Sequence, residues 1–123
     1  MAEAPLIAIV DDDPSIRNAT RNLLKSAGFS TATFESPAAF LTSASRAHTA
    51  CLVVDLRMPS MSGLELYQEL VASGDGLPTV MITAHPEEST QSRARELGIN
   101  YYLSKPFAPD DLLACVSAAL AAA

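Results

Sequence analysis

Five short runs of apolar, β-branched or aromatic character, separated by stretches with helical spacing, restrict what this chain can fold into. They are Leu6-Ile7-Ala8-Ile9-Val10, Ser30-Thr31-Ala32-Thr33-Phe34, Cys51-Leu52-Val53-Val54-Asp55, residues 78–83 and residues 99–104. Each has strand length rather than helix length. The first and third show no polar alternation, as in strands covered on both faces. Between them, Ile16, Ala19, Thr20, Leu23, Leu24 and Ala27 recur at helical spacing, as do Leu64, Leu66, Tyr67, Leu70 and Val71. Ala38, Phe40, Leu41 and Ala44 form a shorter stripe, and Leu112, Leu113, Val116, Ala119 and Leu120 a longer one near the end. Strict alternation of strand and helix predicts an α/β fold, a doubly wound sheet of five parallel strands with helices on both faces.

Local signals set the boundaries. Asp13-Pro14 and Ser36-Pro37 each pair an N-cap with a proline at the first helical position, where the missing N–H costs nothing. Gly28 is a suitable C-terminal stop, and Ser73-Gly74-Asp75-Gly76 marks a turn. Residues 43–49 read as a polar connection. The helix expected over 87–97 has a thin apolar stripe, Ala94 and Leu97, so it is expected to be the least firmly held and mobile. Pro109-Asp110-Asp111 opens the last helix with the acidic residues that the helix dipole favours.

Residues 1–123 are expected to form a single domain, long enough to bury a core without disulfides. The net charge of −6, with no run of Lys or Arg, leaves no footprint for nucleic acid or an anionic membrane. Cys51 and Cys115 read as reduced, buried thiols. No secretory leader or spanning segment is visible, so a soluble, cytoplasmic protein is expected.

The residues that end the strands carry the chemistry. Strand one ends on Asp11-Asp12, strand three on Asp55, strand four on Thr83 and strand five on Lys105. A parallel sheet of order 2-1-3-4-5 gathers these carboxyl ends on one edge, with the crevice between strands one and three. An ionised Asp at the tip of an apolar strand is costly unless donors, water or a cation surround it. Three neighbouring carboxylates raise one another's proton affinity unless a cation intervenes, and Mg²⁺ suits a partly hydrated site of this kind. The metal and Lys105 would compensate charge added to Asp55, Thr83 could donate to a phosphoryl oxygen, and an aspartate is a competent nucleophile for phosphoryl transfer.

The segments Val10-Asp11-Asp12-Asp13-Pro14, Val54-Asp55-Leu56-Arg57-Met58-Pro59-Ser60-Met61-Ser62-Gly63, Ile82-Thr83-Ala84 and Lys105-Pro106-Phe107 together resemble the receiver domain of two-component response regulators. The likeness covers essentially the whole chain, and its wording is similar to receivers of the nitrogen-fixation and LuxR-type regulators. It implies a flavodoxin-like (βα)₅ fold and a phosphorylation-controlled signalling switch. Asp55 would be the phosphoacceptor, fed by a sensor histidine kinase. Asp12 would bind Mg²⁺ directly, Asp11 through water, and the Arg57 backbone carbonyl would be a further ligand. Thr83 and Tyr102 would form the switch pair. The helix over 87–97, the strand over 99–104 and the last helix would form the partner surface, including that of a phosphorylation-dependent dimer. The resemblance leaves two forms open, a stand-alone regulator or the receiver of a transcription factor whose DNA-binding domain lies outside this segment.

Other readings are weaker. An aspartyl-phosphate hydrolase of the haloacid-dehalogenase type needs a second acid two residues after the nucleophile, and Arg57 stands there. A non-phosphorylated scaffold has no support, since every chemical residue is present. The chain is therefore expected not to be an enzyme beyond self-phosphorylation and slow autodephosphorylation. Arg57 and His85 are two bulky side chains that would overlook the phosphoryl group and tune its lifetime, unless both simply extend into solvent. Asp13 reads as a helix cap, Tyr101 as packing on the face opposite Tyr102, and His48 as a solvated loop residue.

Overall fold

The structure, a computed structural model, describes residues 4–122. Its elements alternate as β1 (Leu6–Val10), α1 (Pro14–Ser26), β2 (Ser30–Phe34), α2 (Pro37–Leu41), β3 (Cys51–Asp55), α3 (Gly63–Ala72), β4 (Thr79–Thr83), α4 (Glu88–Glu96), β5 (Tyr101–Ser104) and α5 (Pro109–Ala122). The five strands pair in parallel in the order β2-β1-β3-β4-β5. This is the doubly wound sheet that the alternation predicts.

The strand pleat divides the core in two. Ala8, Val10, Leu52, Val54 and Met81 face the layer of Phe40 from α2, Leu66 and Leu70 from α3 and Ala94 from α4. Ile7, Ile9, Val53, Val80 and Ile82 face Leu24 from α1 and Leu112, Val116 and Ala119 from α5. β3 and β4 are buried along their whole length because both faces are covered. Among the described residues, no helix is long and apolar enough to cross a membrane. Both cysteines are free; Cys51 is buried, and Cys115 is partly exposed rather than fully buried.

Two boundaries differ from the sequence reading. The expected fifth strand shortens to Tyr101–Ser104 because Gly98 and Ile99 complete the end of α4. Gly98, at φ 107°, and Ile99 donate to the carbonyls of Arg95 and Ala94, and Ile99 drops its side chain into the core. The polar connection after α2 contains a 3₁₀ turn over Ala44–His48. Ser43 Oγ accepts from the Ser45 N–H at 2.9 Å, and the Thr49 hydroxyl donates to the Ser45 carbonyl at 2.8 Å. Ser and Thr thus satisfy the turn locally, a pattern without hydrophobic periodicity.

Gly63 fixes how closely α3 approaches the functional edge. A Cβ there would lie 2.7 Å from the Met81 sulfur and 2.8 Å from the Asp55 carbonyl oxygen. The Gly63 N–H donates to the Leu56 carbonyl at 2.9 Å, so the helix start is hydrogen-bonded to the chain leaving β3. Ser62 and Glu65 close a reciprocal capping box around the same turn.

Candidate functional site

The carboxyl ends of β1, β3, β4 and β5 bring their polar residues together. Asp11 continues the sheet through its N–H, which donates to the Phe34 carbonyl at 3.1 Å. Its Oδ1 accepts from the Asp13 N–H at 2.9 Å. Asp13 caps α1 through Oδ1, which accepts from the Ser15 and Ile16 N–H groups, as its place before Pro14 predicts. Arg17, one turn into α1, donates through Nη1 to the Asp11 carbonyl at 2.8 Å. The acidic turn is therefore held from both sides, which leaves the Asp12 side chain exposed above it.

Asp55 closes β3, and the next residue still donates to the ladder, from the Leu56 N–H to the Ile82 carbonyl at 2.8 Å. The Arg57 N–H donates to Asp55 Oδ1 at 3.3 Å. From β5 the Lys105 N–H donates to the Thr83 carbonyl at 2.7 Å, which fixes the base of the lysine. Its Nζ then donates to Asp11 Oδ2 at 3.2 Å and to Asp55 Oδ2 at 3.3 Å. Thr83 is fully buried, and its Oγ1 accepts from the His85 N–H at 3.0 Å.

The electrostatics of this cluster are unbalanced. One carboxylate oxygen each from Asp11, Asp12 and Asp55 lies within 4.8 Å of the others. Three carboxylates face the single ammonium of Lys105, an excess of two negative charges. Burial pushes the Asp55 carboxyl above its ordinary range; Lys105 opposes that shift and Asp11 adds to it. Burial alone would lower the Lys105 ammonium, but Asp11 and Asp55 more than offset this and hold it above its usual value. The excess matches the charge of one divalent cation, and an all-oxygen donor set with one exposed carboxylate fits partly hydrated Mg²⁺.

Tyr102 and Thr83 share one face of the sheet. Thr83 stands opposite Ser104, two residues on from Tyr102, so the pleat turns both side chains the same way. Tyr101 packs on the α1/α5 side and Tyr102 on the α3/α4 side, as alternation predicts. The Tyr102 hydroxyl is shielded from solvent and, among the described residues, has no hydrogen-bond partner. Burial pushes the pKa of its phenol above the ordinary value, with Glu87 adding to the shift and Arg57 opposing it.

Arg57 and His85 differ in what they contact. The Arg57 guanidinium is exposed but committed: Nη2 donates to Glu87 Oε1 at 2.8 Å. The His85 imidazole is exposed and, among the described residues, forms no hydrogen bond or ion pair. Two participants were not apparent in the sequence. Arg17 carries a detectable signal, since it lies four residues after the cap Asp13, on the turn facing the acidic loop. Glu87 carries none, because nothing local separates it from its neighbour Glu88.

An apolar groove of about 510 Å³ adjoins the site between α1 and the β5–α5 connection, with Ile16, Ala19, Leu23, Pro106 and Phe107 in its walls and Lys105 at its edge.

Comparison with known proteins agrees with this geometry. Residues 7–117 match the response regulator receiver domain family. The response regulator protein TodT of Pseudomonas putida is 35% identical over 117 residues, covering 95% of this chain and 52% of its own length. The transcriptional regulatory protein FixJ of Azorhizobium caulinodans is 36% identical over 120 residues, covering 98% of this chain and 57% of its own. The solved structure of the response regulator StyR superposes with a TM-score of 0.89 at 43% identity, covering 97% of this chain and 60% of that one. The chain thus spans about half the length of the curated relatives it matches. It belongs to the response regulator receiver domain family.

Proposed function

We propose that residues 1–123 act as one receiver domain that accepts a phosphoryl group on Asp55. One observation carries the reading: Lys105 Nζ bridges Asp11 and Asp55 at 3.2 and 3.3 Å, while Asp12 lies within reach of both carboxylates. Such a bridge serves a site that gains negative charge at Asp55. An Asp55 carboxylate oxygen attacks phosphorus, a P–O bond forms, and the P–N bond of a kinase phosphohistidine breaks with its electrons on the departing imidazole. Lys105 then keeps one new negative charge paired, and the Thr83 hydroxyl is free to donate to a phosphoryl oxygen. Asp12, Asp11 and the Arg57 carbonyl would hold Mg²⁺, which when bound neutralises developing charge on the phosphoryl oxygens. Loss of the group follows attack of water on phosphorus, which regenerates the Asp55 carboxylate and releases inorganic phosphate.

The partner is a sensor histidine kinase, for which the apolar groove beside Lys105 offers a docking face next to Asp55. Output runs through α4, β5 and α5, with Thr83 and Tyr102 as the coupled pair, in the cytoplasm. The reader of that surface is a second copy of the chain or an attached DNA-binding domain, as the transcriptional role in FixJ's name suggests. The side chains of Arg57 and His85 tune how fast water reaches the phosphoryl group. Hydrolase chemistry of the haloacid-dehalogenase type is disfavoured because Arg57 occupies the position of the second acid.

Incubation with acetyl phosphate and Mg²⁺, followed by intact-mass measurement, tests the proposal. A single added phosphoryl group, lost in Asp55→Asn and in chelator, is the expected result. No mass change in the wild type would leave a non-phosphorylated scaffold as the better reading.

A further inference from the structure

The ion pair between Arg57 and Glu87 joins two segments that both border Asp55. Arg57 lies two residues beyond Asp55, and its N–H already donates to that carboxylate. Glu87 occupies the N-cap position of α4, yet its side chain makes no capping bond there. Glu is one methylene longer than the Asp that caps well at that position, and its side chain leaves the free N–H groups of the first turn without an acceptor. Here it is turned to the guanidinium instead, at 2.8 Å, across thirty residues of sequence. The helix it precedes is the one with a single buried residue, Ala94.

We infer that Glu87 is a positioning residue for phosphoryl binding: its pair with Arg57 restrains the guanidinium until charge added to Asp55 competes for it. The inference rests on Asp55 as the acceptor. An arginine prefers a phosphoryl group to a carboxylate where both are in reach, because its fork matches either but the phosphoryl group carries more charge. Release of Glu87 leaves its carboxylate unpaired beside the positive end of the α4 dipole, so a local charge exchange reaches the start of a helix with one buried residue, Ala94. Both side chains are more than half exposed, which limits the restraint to the modest strength of a surface pair.

Binding of beryllofluoride with saturating Mg²⁺, followed by fluorine NMR titration, provides the test in four proteins: wild type, Glu87→Gln, Arg57→Gln and the double variant. Glu87→Gln is expected to bind about two- to fivefold more tightly than wild type, the range that an exposed ion pair supports. In the Arg57→Gln background the same change is expected to have no effect. An equal gain in both backgrounds would assign Glu87 a merely structural part at α4 and overturn the inference. Unchanged affinity in Glu87→Gln, with the wild type binding normally, would overturn it while leaving the acceptor role of Asp55 intact. Failure of the wild type to bind would overturn both.

Discussion

Replacing Lys105 with methionine should convert the site from a partly paired cluster into an unpaired acidic one. Methionine keeps much of the side-chain length and removes the ammonium. The Lys105, Asp11 and Asp55 side chains are only 15%, 5% and 10% exposed, so solvent replaces little of the lost pairing. At 3.2 and 3.3 Å each contact represents about 5 kcal/mol of attraction at an effective dielectric constant of about 20, much of it offset by desolvation. Removing one partner of a buried pair costs about 3–5 kcal/mol, and the opening beside Asp12 argues for the lower end, about 3 kcal/mol. For a domain of this length the unfolding entropy makes that a fall in Tm of about 12 °C at neutral pH.

The pH dependence identifies the cause. Asp55 has a folded-state pKa above its unfolded one, so its contribution is fully present below the unfolded value and is lost as pH rises through the folded value. Removing Lys105 takes away the opposing attraction and steepens that loss. Thermal melts by circular dichroism from acidic to neutral pH should therefore show the variant's deficit growing with pH, and Mg²⁺ should restore more stability to the variant than to the wild type. Equal Tm values at neutral pH would refute the reasoning. A deficit of the same size in acid would show that Lys105 acts through packing of its methylene chain.

Gly63→Ala should lower stability by about 2 kcal/mol in chemical denaturation, because the new methyl meets the Asp55 backbone and the Met81 sulfur where neither has room. A thiol reagent applied to the native protein at mildly alkaline pH should label Cys115 and spare Cys51, whose thiol burial pushes up to about 12; equal labelling would contradict the packing of β3. Amide exchange should be faster in α4, with one buried residue, than in α1, where Thr20 and Leu24 are buried and Asp13 caps the start. Equal protection would count against a loosely held α4.

What could be read from the sequence follows from how local each signal is. The strands were legible because β1, β3 and β4 are covered on both faces and so carry continuous apolar runs. The convergence of Asp11, Asp12, Asp55, Thr83 and Lys105 was legible because parallel strands of known order put their ends on one edge. The 3₁₀ turn over Ala44–His48 was hidden, since serine and threonine hydrogen bonds leave no periodic trace. The Arg57–Glu87 and Arg46–Asp75 pairs were hidden for a different reason. Each joins side chains from distant segments at the surface, with only Arg46 half-buried, and either partner alone looks like ordinary surface charge. Arg17 lay between these cases, visible in its spacing from Asp13 but not in its target, a backbone carbonyl.

The central claim is that Asp55, among three clustered aspartates, is the residue that takes the phosphoryl group. Borohydride reduction after treatment with acetyl phosphate and Mg²⁺ converts an acyl phosphate at an aspartate to homoserine, which peptide mass analysis can locate. Homoserine at position 55, with Asp11 and Asp12 unchanged, is the predicted result. Homoserine at position 11 or 12, or at none of the three, would contradict it.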